Sequence, residues 1–186
     1  MDSQYVSRAG EKLKHALNFF RVDVGGKIVA DFGSSTGGFV DVLLESGALK
    51  VYSVDTSYGE LAWKLRNNPR VVVLERTNAM HVSLPEKVDL ITVDTSWTKQ
   101  SLVLPNVIKN LKNDGKIITL VKPHYEAPKE YLEKGRLVDQ KIDSVLRNVE
   151  NDFSNLELTI LNSCESPILG EKGKNREFLY FLEVKK

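Results

Sequence analysis

Five short apolar runs punctuate the first two thirds of the chain, and each is closed by a charged residue or a turn. Ile28-Val29-Ala30 leads into Asp31 within a strand expected over Lys27 to Asp31, and Lys50 to Asp55 ends in a second acid. Val71 to Leu74 is the third, Val88 to Asp94 closes on another acid, and Lys116 to Lys122 closes on a lysine. Short runs rich in Val, Ile and Leu suit strands buried on both faces. Between them the apolar spacing lengthens to that of a helix, over Gly38 to Glu45, Glu60 to Arg66 and Ser101 to Leu111, with Asn113-Asp114-Gly115 as a stop signal. Ahead of the first strand, Leu13, Ala16, Leu17 and Phe20 recur at helical spacing over Ser7 to Phe20, with Ser7 available as N-cap. Alternating strands and helices predict a parallel sheet covered on both faces.

The tail breaks this rhythm. A helix is expected over Gln140 to Phe153, then a strand over Leu156 to Asn162, a loop over Ser163 to Lys174 and a last strand over Arg176 to Val184. Two strands joined without a helix predict an antiparallel hairpin at one edge. The expected fold class is α/β, a Rossmann-like, mostly parallel seven-stranded sheet with an antiparallel C-terminal hairpin and helices on both faces. Without internal repeats, low-complexity stretches or linkers, residues 1–186 read as one domain, with 1–22 forming an N-terminal helical segment.

In such sheets ligands bind beyond the carboxyl ends of the strands, near the reversal of strand order. Asp31, Asp55, Asp94 and Lys122 all stand at expected strand ends. After Asp31 come Gly33, Ser34, Ser35, Thr36, Gly37 and Gly38, a tight loop that lets a ligand approach bare main chain at a helix start. The spacing Gly33-x-x-x-Gly37-Gly38 departs from the G-x-G-x-x-G of dinucleotide sites. It fits better the loop of S-adenosylmethionine methyltransferases, where acids meet a sulfonium nucleoside and its amino-acid tail. Asp55 follows Asp31 by 24 residues, close to the interval at which a second-strand acid holds ribose hydroxyls. Taken alone, the loop is equally compatible with a structural turn.

Composition narrows the class. At 186 residues, 41% hydrophobic and 27% charged, the chain resembles an ordinary globular domain. One cysteine, Cys164, excludes a disulfide framework or a thiolate zinc cluster within one chain, and His15, His81 and His124 make no metal-ligand spacing. These histidines read as surface or turn residues, and Trp63 reads as core. Trp97, beside Asp94, reads as a residue that stacks on a base or packs. No signal peptide or bilayer-spanning run is seen, so the expected location is cytoplasmic, without a membrane partner. Nothing in the sequence requires more than a monomer. Net charge is +1 and evenly spread, so any basic face for RNA must be local. Arg8, Lys12 and Lys14, then Lys129, Lys134 and Arg136, then Lys172, Lys174 and Arg176 are the candidate clusters.

Several segments together resemble one family. Tyr5-Val6-Ser7-Arg8-Ala9-Gly10-Glu11-Lys12-Leu13, Asp31 to Phe39, Ala62-Trp63-Lys64-Leu65-Arg66, Glu75-Arg76-Thr77-Asn78-Ala79, Lys122-Pro123, Ser166-Pro167-Ile168-Leu169-Gly170 and Asn175-Arg176-Glu177-Phe178-Leu179 are similar, in collinear order, to the hemolysin A (TlyA) family. That family is a branch of the FtsJ-like ribose 2'-O-methyltransferases of ribosomal RNA. The resemblance implies a catalytic tetrad of Lys12, Asp94, Lys122 and Glu177, with Lys122 as base or proton-steering group. Its pKa would be drawn down by burial and a second lysine. The resemblance also implies S-adenosyl-L-methionine bound by Asp31, Gly33, Ser35, Gly37 and Gly38 on the methionine side, Asp55 and Asp94 nearby, and Asn78 at the adenine edge. No metal is implied, and the partner implied is structured RNA, ribosomal RNA or a ribosomal subunit.

Two departures stand out. Family members usually carry a small RNA-binding module ahead of this domain, whereas here Met1 directly precedes the Tyr5 motif. Asp94-Thr95-Ser96-Trp97 replaces Asp-Val-Ser-Phe, and His124-Tyr125 replaces Gln-Phe. A noncatalytic RNA or ribosome binder keeping the fold, or a small-molecule methyltransferase, stand as alternatives. A membrane-lytic role finds no spanning segment and no strongly amphipathic basic helix.

Overall fold

The computed structural model describes residues 4–170 and 174–185. Lys172, and with it part of the third basic cluster, lies outside them. Helix α1 (Ala9–Phe20) precedes β1 (Ile28–Phe32), α2 (Gly38–Glu45), β2 (Lys50–Val54), α3 (Trp63–Arg66), β3 (Val71–Leu74) and β4 (Val88–Val93). Then follow α4 (Gln100–Asn110), β5 (Leu111–Val121), α5 (Pro123–Glu126), the small pair β6 (Leu132–Glu133) and β7 (Arg136–Leu137), α6 (Ile142–Asn155), β8 (Leu158–Glu165) and β9 (Phe178–Val184).

Seven strands form one sheet in the order β3-β2-β1-β4-β5-β9-β8. The first five run parallel, β9 is antiparallel to β5, and β8 is antiparallel to β9. The apolar runs explain the layering. Successive side chains of a strand point to opposite faces, so Val29, Leu90 and Ile118 pack under α1 and α2 while Ala30, Ile91 and Ile117 pack under α4 and α6. A parallel sheet of this kind needs apolar residues on both sides, which is why its strands read as continuous runs. No helix among the described residues is long and apolar enough to cross a membrane.

Some local expectations fail for identifiable reasons. α1 starts at Ala9 with Arg8 at the cap position and no side-chain cap, so Ser7 does not serve as N-cap there. The stretch from Glu60 forms only the single turn Trp63–Arg66. Leu61, ahead of the turn, and Leu65 within it point inward and are buried, whereas Trp63 faces outward and is 78% exposed rather than core. Asn113-Asp114-Gly115 does not stop the helix, which ends at Asn110. It is an irregularity within β5, where pairing with β4 shifts register between Val88 and Leu90. The β6–β7 pair and α5 lie in stretches with no apolar period long enough to register.

Candidate active site

Along the carboxyl edge of the parallel strands opens a cavity of about 710 Å³, within the size range of small-molecule sites, about 300–1,000 Å³. It lies where the strand order reverses, between β1 and β4. Each wall has its own source. The glycine loop after β1 supplies Gly33, Ser35 and Gly38; the end of β2 supplies Asp55; the segment after β3 supplies Asn78; and the end of β4 supplies Asp94. Lys122 comes from the end of β5, Lys12 from α1 and Glu177 from the residue before β9. All four residues of the implied tetrad therefore face one space.

They face it as two ion pairs, one buried and one half-buried. Lys12 Nζ donates to Glu177 Oε2 at 2.6 Å, with the side chains 8% and 4% exposed. Lys122 Nζ lies 2.5 Å from Asp94 Oδ1 and also donates to the Thr95 carbonyl at 3.3 Å. Burial pushes the Lys122 ammonium down, but the Asp94 charge and hydrogen bond, with Glu177 further off, outweigh it and leave its pKa above the ordinary lysine value. The expected lowering is thus reversed: a carboxylate in contact acts more strongly on this amine than burial does.

The docking of α1 decides where Lys12 goes. Gly10 on α1 and Gly38 at the start of α2 meet so closely that a Cβ on Gly38 would stand 2.9 Å from Gly10 N and 3.2 Å from Ala9 Cβ. Asp41 Oδ2 on α2 accepts Val6 N at 2.9 Å and fixes the approach to that crossing. On the opposite wall, a Cβ on Gly170 would meet Glu177 Oε1 at 2.7 Å, so the missing side chain is the room the carboxylate occupies. Asn175, buried, binds Leu137 N through Oδ1 at 2.9 Å and the Gly135 carbonyl through Nδ2 at 3.1 Å. Its own carbonyl accepts Gly170 N at 2.8 Å. The β6–β7 pair is thereby fastened to the segment that carries Glu177.

The glycine loop draws on glycine's backbone freedom where a ligand would need it. Gly33 and Gly37 hold φ of 90° and 99°, in the left-handed region glycine tolerates. A Cβ on Gly33 would fall 2.5 Å from the Asp94 carbonyl oxygen. Asp31 is wholly buried; Thr92 Oγ1 donates to its Oδ1 at 2.6 Å, and its Oδ2 has no hydrogen-bond partner among the described residues. Burial drives its pKa up to about 8, helped by the charges of Asp94 and Asp55 and resisted by the Thr92 hydrogen bond. Asp55 is committed differently. Its Oδ1 accepts Ser57 N and Oγ at 2.8 and 2.6 Å and its Oδ2 accepts Ser35 N at 2.7 Å, leaving one acceptor position on Oδ2. Asn78 Oδ1 caps Met80 N at 2.8 Å, and the following segment is pinned by Asn106 and Asn110, whose amides reach the Ala79 and Val82 carbonyls.

Every residue expected at the site lines this cavity or its glycine loop, and three more belong there. Trp97 lines the cavity mouth and is 76% exposed, so it does not pack. His124, read from the sequence as a surface or turn residue, is half-buried in the cavity, its ring 4.1 Å from that of Tyr125. Gly170 is the third. By contrast, Lys12 of the first basic cluster is buried in its ion pair and adds nothing to a surface field.

The donor set suits one kind of ligand. An unpaired buried carboxylate oxygen, a spare acceptor on Asp55 and a loop closed to any side chain fit a cationic amino-acid tail, ribose hydroxyls and a nucleoside laid against main chain. S-adenosylmethionine combines all three.

Comparison with known proteins agrees. The profile of the family described as FtsJ-like methyltransferase matches residues 5–183. The 16S/23S rRNA (cytidine-2'-O)-methyltransferase TlyA of Mycobacterium tuberculosis is 40% identical over 183 residues, covering 95% of this chain and 68% of that one. This chain therefore spans about two thirds of that relative's length. A solved structure from Streptococcus thermophilus, described as a hemolysin, superposes with a TM-score of 0.95 at 35% identity, covering 100% of this chain and 69% of that one. An S-adenosylmethionine dependent methyltransferase from Listeria monocytogenes, 18% identical with a TM-score of 0.69 over 97% of this chain and 100% of its own, shares the fold.

Proposed function

The chain belongs to the FtsJ-like methyltransferase family, and from that premise we propose that it methylates ribose 2'-hydroxyls of structured RNA, with ribosomal RNA as the substrate class. Residues 1–186 act as one catalytic domain, to which 1–22 contribute Lys12, and the working location is the cytoplasm, where ribosomal RNA is found. The observation that carries this reading is the convergence of Lys12–Glu177 and Lys122–Asp94 on one cavity beside the glycine loop.

S-adenosylmethionine, bound in that loop, supplies an electrophilic methyl group on a cationic sulfur. The Asp31 carboxylate holds the cationic tail, Asp55 the ribose hydroxyls and Asn78 the adenine edge, with Gly33, Ser35, Gly37 and Gly38 giving main-chain contact. A ribose hydroxyl is a weak nucleophile, and much of the acceleration must come from holding it in line with the methyl group. The Lys122 ammonium, steadied by Asp94, donates to one lone pair of the hydroxyl oxygen and leaves the other directed at the reacting carbon. Lys12, held by Glu177, fixes the ribose from the α1 side. The two carboxylates keep a site with two lysines and a sulfonium close to neutral, which limits the cost of burying like charges.

Incubating the protein and its Lys122→Ala variant with labelled S-adenosylmethionine and ribosomal RNA tests the reading. Label should enter RNA with the parent protein and fall by about a hundredfold in the variant. Equal incorporation by both proteins would remove Lys122 from the mechanism.

A further inference from the structure

The Lys122–Asp94 pair joins two short pieces of chain that regular secondary structure does little to fix. Lys122 stands at the head of α5, a single turn held internally by Tyr125 N to the Lys122 carbonyl at 2.8 Å and Ala127 N to the Pro123 carbonyl at 2.9 Å. A turn that short has little stability of its own. Asp94 opens the loop that leads from β4 to α4 and gives Thr95, Ser96, Trp97 and Thr98 to the cavity wall. A second tie joins the far ends of these pieces. Glu126 closes α5, and its Oε1 accepts the backbone N–H of Gln100, where α4 begins, at 2.9 Å.

The first N–H groups of a helix have no partner within it, and Lys99, at the cap position of α4, makes no side-chain cap. A carboxylate supplied by another element satisfies such a donor and suits the positive end of the helix. Gln100 is itself a fixed point. It is 2% exposed, its Oε1 accepts Thr119 Oγ1 at 2.6 Å, and its Nε2 donates to the Leu120 carbonyl at 3.3 Å. Both partners lie on β5, just ahead of Lys122. Lys99 Nζ adds a bond to the Glu126 carbonyl at 3.3 Å. The loop and the turn are thus fastened at one end by Lys122 to Asp94 and the Thr95 carbonyl, and at the other by Glu126 to Gln100.

Resting on the ribose methyltransferase reading of this site, we propose that Glu126 is a positioning residue: it anchors α5 to the start of α4 and thereby holds the Lys122 ammonium in the alignment the ribose hydroxyl requires. Glu126 does not line the cavity and acts through Lys122. A misplacement of about 1 Å in such an alignment can cost about a hundredfold in rate. The glycine loop and Asp55 stand on other elements, so the loss falls on turnover and spares cofactor binding.

Amide hydrogen exchange reads the anchor without any turnover. The Gln100 amide should exchange about tenfold or more faster in Glu126→Ala than in the wild-type protein. Glu126→Gln, which keeps an acceptor oxygen, should restore the protection. A Gln100 amide that exchanges equally fast in the wild-type protein and Glu126→Ala overturns the proposal. Kinetics read the consequence. Glu126→Ala should lower kcat for RNA methylation about tenfold or more, with KM for RNA and Kd for S-adenosylmethionine within about threefold, and Glu126→Gln should recover most of the loss. If Glu126→Ala melts earlier while its folded fraction keeps the parent kcat, or if its loss is confined to KM, the proposal falls and the ribose methyltransferase reading stands. A wild-type protein that transfers no methyl group to ribose takes both down. Should Glu126→Ala fail to fold, Glu126→Asp, one methylene too short for the Gln100 bond, takes its place in both measurements under the same criteria.

Discussion

Asp31 carries its charge at a cost that pH can reveal. Its pKa rises from 3.8 to about 8 on folding, so the folded state binds a proton that the unfolded chain releases. The stability this contributes is present in full below the unfolded pKa and is lost as pH climbs through the folded one. Melting temperatures of the ligand-free protein should therefore fall relative to Asp31→Asn between about pH 5 and pH 8; parallel curves would contradict the assignment. A cationic tail selects the ionised carboxylate, so affinity for S-adenosylmethionine should rise over the same interval, as calorimetry can check. At Gly170 an added methyl group would meet Glu177 Oε1 at 2.7 Å. Gly170→Ala should therefore displace the Glu177–Lys12 pair and cut methyl incorporation about tenfold or more, while leaving cofactor affinity near the parent value. These residues were unequally legible in the sequence. Asp31, Asp55 and Asp94 could be found because a charged residue closing an apolar run marks a strand end. Lys12 and Glu177 lie 165 positions apart, and only the family resemblance joined them. A single histidine or glycine carries no spacing, so His124 entered only as a departure from a family motif and Gly170 only as part of one, and neither was named as a site residue until the fold gave it neighbours. The Lys122 pKa was misjudged because contact with Asp94 cannot be read from a linear chain.

At the scale of elements, the crossing of α1 over the start of α2 aims Lys12 into the cavity. Gly10 and Gly38 make that approach possible. Gly38→Ala should destabilise the protein by about 1–3 kcal/mol through overpacking, read as a lower denaturation midpoint. It should also lose activity beyond what the folded fraction explains, because Lys12 moves with its helix; full specific activity in the folded fraction would separate the crossing from catalysis. The strands and the longer helices α1, α4 and α6 that cover them were readable because buried parallel strands and amphipathic helices leave distinct periods. The single turn at Trp63–Arg66 was overread as a longer helix, and the outward face of Trp63 was misread with it. Asn113-Asp114-Gly115 was a turn signal correctly sensed but wrongly placed, since an irregular strand and a helix stop favour the same residues. The β6–β7 pair escaped because two-residue strands have no period at all. Its tie to Asn175 nevertheless links it to the segment that carries Glu177.

For the whole molecule, the order β3-β2-β1-β4-β5-β9-β8 places the carboxyl ends of β1, β2, β4 and β5 side by side and brings the start of β9 to the same edge. One edge therefore receives the glycine loop, both carboxylates of the cofactor side and both ion pairs, although the chain delivers them from residue 12 to residue 177. The topology could be anticipated from the alternation of elements and the helix-free tail; the convergence of the tetrad came only with the family resemblance, because it depends on where α1 docks and how the segment before β9 is held. The most direct measurement is a mass spectrum of nucleosides released from ribosomal RNA after incubation with the protein and S-adenosylmethionine. The arrangement of Lys12, Asp94, Lys122 and Glu177 predicts a new methyl group on a ribose 2'-oxygen; a methyl group found only on a base, or none on the RNA, would contradict it.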